Sequence, residues 1–327
     1  MVLSQALYRR LVEARPGVQI DVVAPPWSAP LLQRMPEVRC AIELPVAHGE
    51  LALRRRRRLA RSLRGERYDQ AIVLPNSFKS ALLPWFADIP LRTGWRGEMR
   101  YGLLNDLRLL DSRQWPTMAQ RFVALGDAAS APPAAVVPAP QLVADVAGAG
   151  ALAQGFGIDS TAPLLTLCPG AEFGPAKRWP VASFAAVARY YLAAGWQLVL
   201  QGSEADREVC AAIAAGAPGC VNLAGRTRLG EAIDLLSLST AVVTNDSGLM
   251  HIAAALQRPL VAVYGPTSPD FTPPLDEAAR VLTTAESCAP CFQRECPLGH
   301  HNCMRNLSAQ QVLDALQPLL DESGKRV

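Results

Sequence analysis

No uninterrupted apolar run in this 327-residue chain reaches the ~18 residues that a membrane-crossing helix needs. A secretory leader is missing too, because the opening "MVLSQALYRRLVEARPG" reads as an amphipathic helix with charges at its end. No G-x-G-x-x-G follows a strand, which takes away the main support for a nicotinamide or flavin enzyme. There is no Walker loop, and no two aspartates lie one residue apart to hold a metal against a diphosphate. The net charge of +3 is too small to imply a nucleic-acid partner. These absences leave a cytoplasmic globular protein as the default expectation.

What is present is ordinary in bulk and uneven in detail. Half the residues are apolar and 19% charged, and the length suffices for two domains with sound cores. The eight cysteines, in a cytoplasmic setting, read as thiols or metal ligands before disulfides. The stretch "LRRRRRLARSLRGER" gathers Arg54 to Arg58, Arg61, Arg64 and Arg67. It is either a solvated helix face or a patch that meets phosphorylated or anionic lipid material.

The pattern along the chain is α/β. Helix "SQALYRRLVEARPG", strand "VQIDVVAP", a short helix and strand "CAIELP" come first. The Arg-rich helix and strand "YDQAIVLP" follow, and after "NSFKSALLPWFADIP" the chain returns with "LRTGW". This layer begins on a helix. In the doubly wound order the first strand lies mid-sheet, so its omission predicts a gap in the sheet's centre. From about 127 to 150 the text turns to "DAASAPPAAVVPAPQLVADVAGAG", which reads as an interdomain linker. A second αβ run starts at "APLLTLCPG" and continues through "GWQLVLQG", "CVNLAG", "AVVTND" and "PLVAVYGP". The expected domains are residues 1–140, with the linker, and 141–327. Both would be Rossmann-like and doubly wound, with a cleft between them.

Three loops of the second half follow strand ends, where open α/β sheets bind ligands. In "CPGAEFGPAKRWP", two glycines keep the turn open and Lys177 and Arg178 supply positive charge suited to phosphate. In "GSEADRE", Asp206 or Glu204 either takes ribose hydroxyls or caps a helix. In "TNDSGLMHIAAA", Asp246 or Ser247 can cap the helix, whose remaining free N–H groups make an anion site. His251 lies in the first turn of that helix, either packed or beside the anion. Farther on, "SCAPCFQRECPLGHHNC" offers Cys288, Cys291, Cys296 and Cys303 with His300 and His301. The C-x-x-C opening suits zinc, but no matching second half follows, so a thiol-lined loop or an oxidised pair is preferred to a structural zinc site.

With these residues in place, the chain resembles the lipopolysaccharide heptosyltransferases, inverting glycosyltransferases of GT-B architecture. The matching stretches are "PNSFKSALLPWFADIPLRTGWRGEMRYGLLND", "CPGAEFGPAKRWP" and "TNDSGLMHIAAALQRPLVAVYGPTSPDFTPPL". The resemblance implies ADP-heptose as donor and an inner-core glycolipid, heptosyl-Kdo-lipid A, as acceptor. It implies work at the cytoplasmic face of the inner membrane with peripheral membrane contact. By position, Lys177 would neutralise the donor diphosphate, Asp246 would contact the heptose, and His251 would stand beside them. Ser247, Gly248 and Leu249 would offer backbone N–H groups to the phosphates. Glu172 and Phe173 would flank them, and Asp206 and Thr227 would line the adenosine site. Lys79, Arg92, Arg96 and Arg100, with the arginine run, would suit the phosphorylated acceptor. No metal or other cofactor is implied.

The resemblance departs at the front. Relatives begin with a strand and a Gly-Asp loop whose Asp is the expected base on the acceptor hydroxyl, and Met1 stands just after the matching position. The reading is a misassigned start or truncated chain, and no base is named. One rival is a nucleotide-sugar binder that does not catalyse transfer. Another is a zinc-stabilised nucleic-acid module, for which the sequence offers no recognition helix.

Overall fold

Short runs of branched aliphatic residues, separated by alanine- and leucine-rich helical segments, build parallel sheets covered by helices. The computed structural model describes residues 1–47 and 49–323. The chain divides after Pro138 into two compact units.

The first unit runs through α1 (Gln5–Ala14), β1 (Ile20–Ala24), α2 (Ala29–Leu32), β2 (Val38–Glu43), α3 (Leu53–Leu63) and β3 (Gln70–Val73). It continues with α4 (Phe78–Phe86), β4 (Leu91–Trp95), β5 (Asp106–Arg108) and α5 (Met118–Gly126). Its strands do not make one sheet. β1 pairs in parallel with β2, and β3, β4 and β5 form a separate parallel sheet. The break falls between β1 and β3, where the doubly wound order has its central strand. Both strands therefore leave an edge unpaired among the described residues, and Val22, Val23, Ala71 and Ile72 are only half-buried. An apolar cluster of Ala60, Leu63 and Leu83, packed on by Val23, Ile42 and Ala71, joins the two pieces. The Tyr68 hydroxyl also donates to the Asp21 carboxylate across them.

Helix α3 shows how the arginine run is used. Arg56, Ala60 and Leu63, spaced four and three apart, face inward, while Arg54, Arg55, Arg57, Arg58 and Arg61 are exposed. The buried Arg56 donates through Nε to the Leu51 carbonyl, at 2.8 Å. The rest of the run is a basic surface.

The second unit holds α6 (Val146–Gly155), β6 (Leu164–Cys168), α7 (Val181–Ala193), β7 (Gln197–Leu200), α8 (Arg207–Gly216) and β8 (Val221–Asn222). Then come α9 (Leu229–Ser237), β9 (Ala241–Asn245), α10 (Gly248–Ala255), β10 (Leu260–Val263), β11 (Arg280–Leu282), α11 (Asn302–Arg305) and α12 (Ala309–Ser323). Its six strands are all parallel in the order β8-β7-β6-β9-β10-β11, the Rossmann order. β6, β9 and β10 are buried at every position, as suits largely apolar strands covered on both faces, with Thr166, Thr244 and Asn245 their buried polar members. Helix α6 corrects the linker reading, since residues 146–150 are helical. Asp145 caps it by accepting from the Gly148 N–H at 3.0 Å, and Ala149 and Ala153 are fully buried. Its alanine- and glycine-rich sequence carries no amphipathic period, and packing against α9 supplies the missing signal. Among the described residues no helix is long and apolar enough to cross a membrane.

Candidate functional site

The order of the second sheet reverses between β6 and β9, so the loops leaving those two strands open a crevice at their carboxyl ends. Asn245, at the end of β9, joins the two loops. Its amide donates to the Pro169 carbonyl at 2.7 Å, and its Oδ1 accepts from the Trp179 N–H at 3.1 Å. Trp179 is itself fixed by a 2.8 Å bond from its indole N–H to the Leu307 carbonyl and an edge contact with Phe184. The loop between them ends in a turn, Pro175–Lys177, that carries Lys177 to the next strand's loop. Lys177 Nζ meets Asp246 Oδ2 at 2.6 Å, and Thr267 Oγ1 donates to the same oxygen at 2.7 Å. The lysine and aspartate side chains are 12% and 6% exposed. Lys177 and the Ser247 turn, placed by sequence on separate loops, thus converge.

Two glycines permit this approach. A Cβ at Gly174 would lie 2.3 Å from the Arg294 carbonyl oxygen, which also accepts the Ala176 N–H at 3.1 Å. A Cβ at Gly170 would press on the Asp206 carboxylate at 2.5 Å. Beside the lysine, the Phe173 ring has Lys177 Nζ at 4.9 Å and the Arg294 guanidinium at 5.9 Å. Two cations therefore lie against one aromatic ring. Glu172 is exposed next to it.

Ser247 holds the N-cap position of α10, but its side chain makes no capping bond and lies 3.3 Å from the Thr244 hydroxyl. Asp246 is taken up by Lys177 and Thr267. The capping reading of these two residues is therefore corrected: no side chain caps α10. The first-turn N–H groups, Gly248 and Leu249 among them, have no carbonyl four residues back to meet, and they give the helix start its positive end. His251 lies one turn in. As a whole it is half-buried, yet its Nδ1 is shut off from solvent and has no hydrogen-bond partner among the described residues. Burial pushes its pKa down to about 4, with the Asp246 carboxylate opposing the shift, so the ring is neutral at pH 7.

Other expected residues are placed elsewhere or otherwise engaged. Asp206 closes the short turn before α8, its Oδ2 accepting from the Ser203 N–H and hydroxyl at 2.9 and 2.7 Å, and its Oδ1 lies 3.7 Å from Arg178. Its Oδ2 is thus engaged within the loop, while Oδ1 accepts no hydrogen bond among the described residues. Thr227 is half-buried just before α9. In the first unit Arg100 is 1% exposed, with guanidinium bonds to the Pro75 and Trp95 carbonyls and to Asn76 Oδ1. It clamps the ends of β3 and β4 together and cannot reach an acceptor, which corrects its assignment there. Arg92 is also turned to backbone, at Leu103 and Ile89. Arg96 is exposed and Lys79 half-buried, and both remain available. This unit also holds a cavity of about 190 Å³, lined by Trp95, Asp106, Arg108 and Trp115 among others. Its Arg108 is held by Asp106 and the Ala124 and Asp127 carbonyls.

The sequence reading passed over Asn245, Thr267 and Arg294. Asn245 closes the buried strand β9 and Thr267 lies four residues past β10, and that nearness to strand ends was the available signal. All eight cysteines are free thiols. Cys288, Cys291, Cys296 and Cys303 line one small pocket with His300 and His301. Backbone N–H groups, that of His301 foremost, hold the Cys296 thiol below its usual pKa.

Residues 56–302 match Glycosyltransferase family 9 (heptosyltransferase). The chain belongs to that family. It is 50% identical over 334 residues to lipopolysaccharide heptosyltransferase 2 of Salmonella typhimurium, covering 99% of this chain and 96% of the relative. The solved structure of Escherichia coli ADP-heptose lipopolysaccharide heptosyltransferase II is 46% identical and superposes with a TM-score of 0.88, covering 99% of this chain and 96% of that one. A family 9 glycosyltransferase from Veillonella parvula, 22% identical, shares the fold with a TM-score of 0.83 over 98% of this chain and 94% of that one. A family 9 member is a glycosyltransferase, and this chain is therefore one.

Proposed function

We propose that this chain transfers L-glycero-D-manno-heptose from ADP-heptose to the first heptose of the lipopolysaccharide inner core, with inversion at the anomeric carbon. Departure of ADP places negative charge on the diphosphate as the sugar becomes oxocarbenium-like. Lys177 and the uncapped start of α10 receive that charge through an ammonium group and the backbone N–H groups of Ser247, Gly248 and Leu249. They do so in place of a divalent ion, in keeping with the absence of paired aspartates in the sequence. When the diphosphate draws Lys177 away, Asp246 is released toward the sugar hydroxyls. His251 stays uncharged and adds no competing cation. Phe173 and Glu172 border the phosphates, and Thr227 lies toward the adenosine. In the first unit the exposed arginines of α3, with Arg96 and Lys79, suit a phosphorylated glycolipid at the cytoplasmic face of the inner membrane. We assign no catalytic base.

The observation that carries this reading is the 2.6 Å approach of Lys177 to Asp246 beside an uncapped helix start. The test is incubation with ADP-heptose and heptosyl-Kdo-lipid A, followed by mass spectrometry of the glycolipid and measurement of released ADP. The acceptor should gain one heptose per ADP. Tight ADP-heptose binding without transfer would instead support a non-catalytic nucleotide-sugar binder.

A further inference from the structure

From Thr283 to His301 the chain has no helix or strand, and no residue in it is buried. That exceeds the ~12–15 residues beyond which structureless loops in compact domains are uncommon. The segment nonetheless performs a positional task. Its Arg294 carbonyl receives the Ala176 N–H and abuts Gly174, so it backs the turn that carries Lys177. The Phe292 N–H donates to the Pro266 carbonyl at 2.7 Å, a second tie to the same region. Further ties run from the Thr284 hydroxyl to the Cys303 carbonyl at 3.1 Å and from the Asn306 amide to Glu286 Oε1 at 2.6 Å, and Ala289 packs on the main core. The loop is also rich in cysteine. Cys288, Cys291 and Cys296 face one pocket together with Cys303, which lies on α11 and packs into the main core of the unit.

We propose that Cys288, Cys291, Cys296 and Cys303 form a four-thiolate site for a structural zinc(II) ion, which ties this loop to the core and so holds the Lys177 turn in place. Four sulfur donors are the set that tetrahedral, borderline-soft zinc takes in closed structural sites. His300 fits the site less well as a ligand, because its Nδ1 already accepts the Asn302 N–H at 3.0 Å. Among the described residues no three ligand atoms already stand at coordination spacing. Rotation of thiols on an unburied loop is the adjustment that binding requires. Each thiol that ligates gives up its proton to solvent, so affinity rises with pH.

The test uses the full chain, reduced and stripped with a chelator, then titrated with cobalt(II) as a spectroscopic stand-in. Thiolate-to-cobalt charge-transfer and tetrahedral d–d absorption should saturate at about one ion per chain and be displaced by zinc. Cys288→Ser and Cys291→Ser, both on the loop surface, should weaken cobalt binding at least tenfold, on the order of what even outer-shell changes cost. Cys40→Ser, in the other unit, should leave it unchanged. Circular dichroism verifies that each variant is folded, and Cys303→Ser is avoided because that side chain is part of the core. Zinc should also raise the Tm of the parent chain and leave that of Cys291→Ser unmoved. The proposal is overturned if folded protein gives no thiolate absorption. It is equally overturned if the Cys291→Ser titration matches the parent, or if the purified protein carries a disulfide among these four residues.

Discussion

Replacing Lys177 by Met removes an ammonium group that has two separable duties. One is structural, since Asp246 is 6% exposed and would keep only the Thr267 hydroxyl on Oδ2. Stranding one partner of a buried ion pair costs about 3–5 kcal/mol. The surviving 2.7 Å hydroxyl bond argues for the lower end, about 3 kcal/mol. The other duty is to stabilise charge on departing ADP, and loss of one such group lowers turnover by about 10²–10³-fold. A double-mutant cycle with Asp246→Asn separates them. In denaturant unfolding, Asp246→Asn should restore most of the stability lost in Lys177→Met, because no bare carboxylate is left. In transfer assays under conditions where every variant is folded, Lys177→Met should still cost about 10²-fold when made in the Asp246→Asn background. If the second comparison shows no further loss, Lys177 serves only to hold Asp246, and the leaving-group argument fails.

Gly174→Ala sets a Cβ against the backbone carbonyl of Arg294, which cannot swing aside, so the Lys177 turn must shift. The KM for ADP-heptose should rise by about tenfold, a cost of ~1.4 kcal/mol in donor binding, and an unchanged KM would show that the loop yields freely. Arg100→Ala deletes bonds to two carbonyls and should destabilise the first unit by about 3 kcal/mol. Acceptor KM should hold in the folded fraction, and a raised KM at unchanged Tm would return Arg100 to the acceptor site. His251 has a pKa pushed down to about 4 from 6.5, so between those values the unfolded chain binds the extra proton. Stability is therefore fully present above pH 6.5 and falls as pH drops toward 4, by on the order of 2–3 kcal/mol. His251→Gln should flatten that slope in urea titrations, and parallel slopes for the two proteins would refute the assignment.

Much of this arrangement was legible before any coordinates. The runs around Leu165, Val243 and Val261 are apolar at consecutive positions, which is how a doubly covered parallel strand reads. Lys177 and Asp246 were exposed to inference because each follows such a strand. β5 and β11 escaped because they are three residues long and half-buried, too short for any period. Arg100 shows the harder limit. Its guanidinium chemistry suits a phosphate equally well, and only its bonds to the Pro75 and Trp95 carbonyls reveal that it is already in use. Asn245 was hidden for the opposite reason, as a polar group buried so completely that it reads as the end of a strand.

The divided sheet of the first unit has a consequence for how the chain breathes. Amide groups along the free edges of β1 and β3 have no strand on that side to shelter them, whereas every residue of β6, β9 and β10 is enclosed. Local opening of β1 and β3 should therefore need far less free energy. In hydrogen–deuterium exchange their protons should be lost while those of β9 are still retained. Such edges are also open templates for pairing with another chain, so concentrated protein should associate through this unit first.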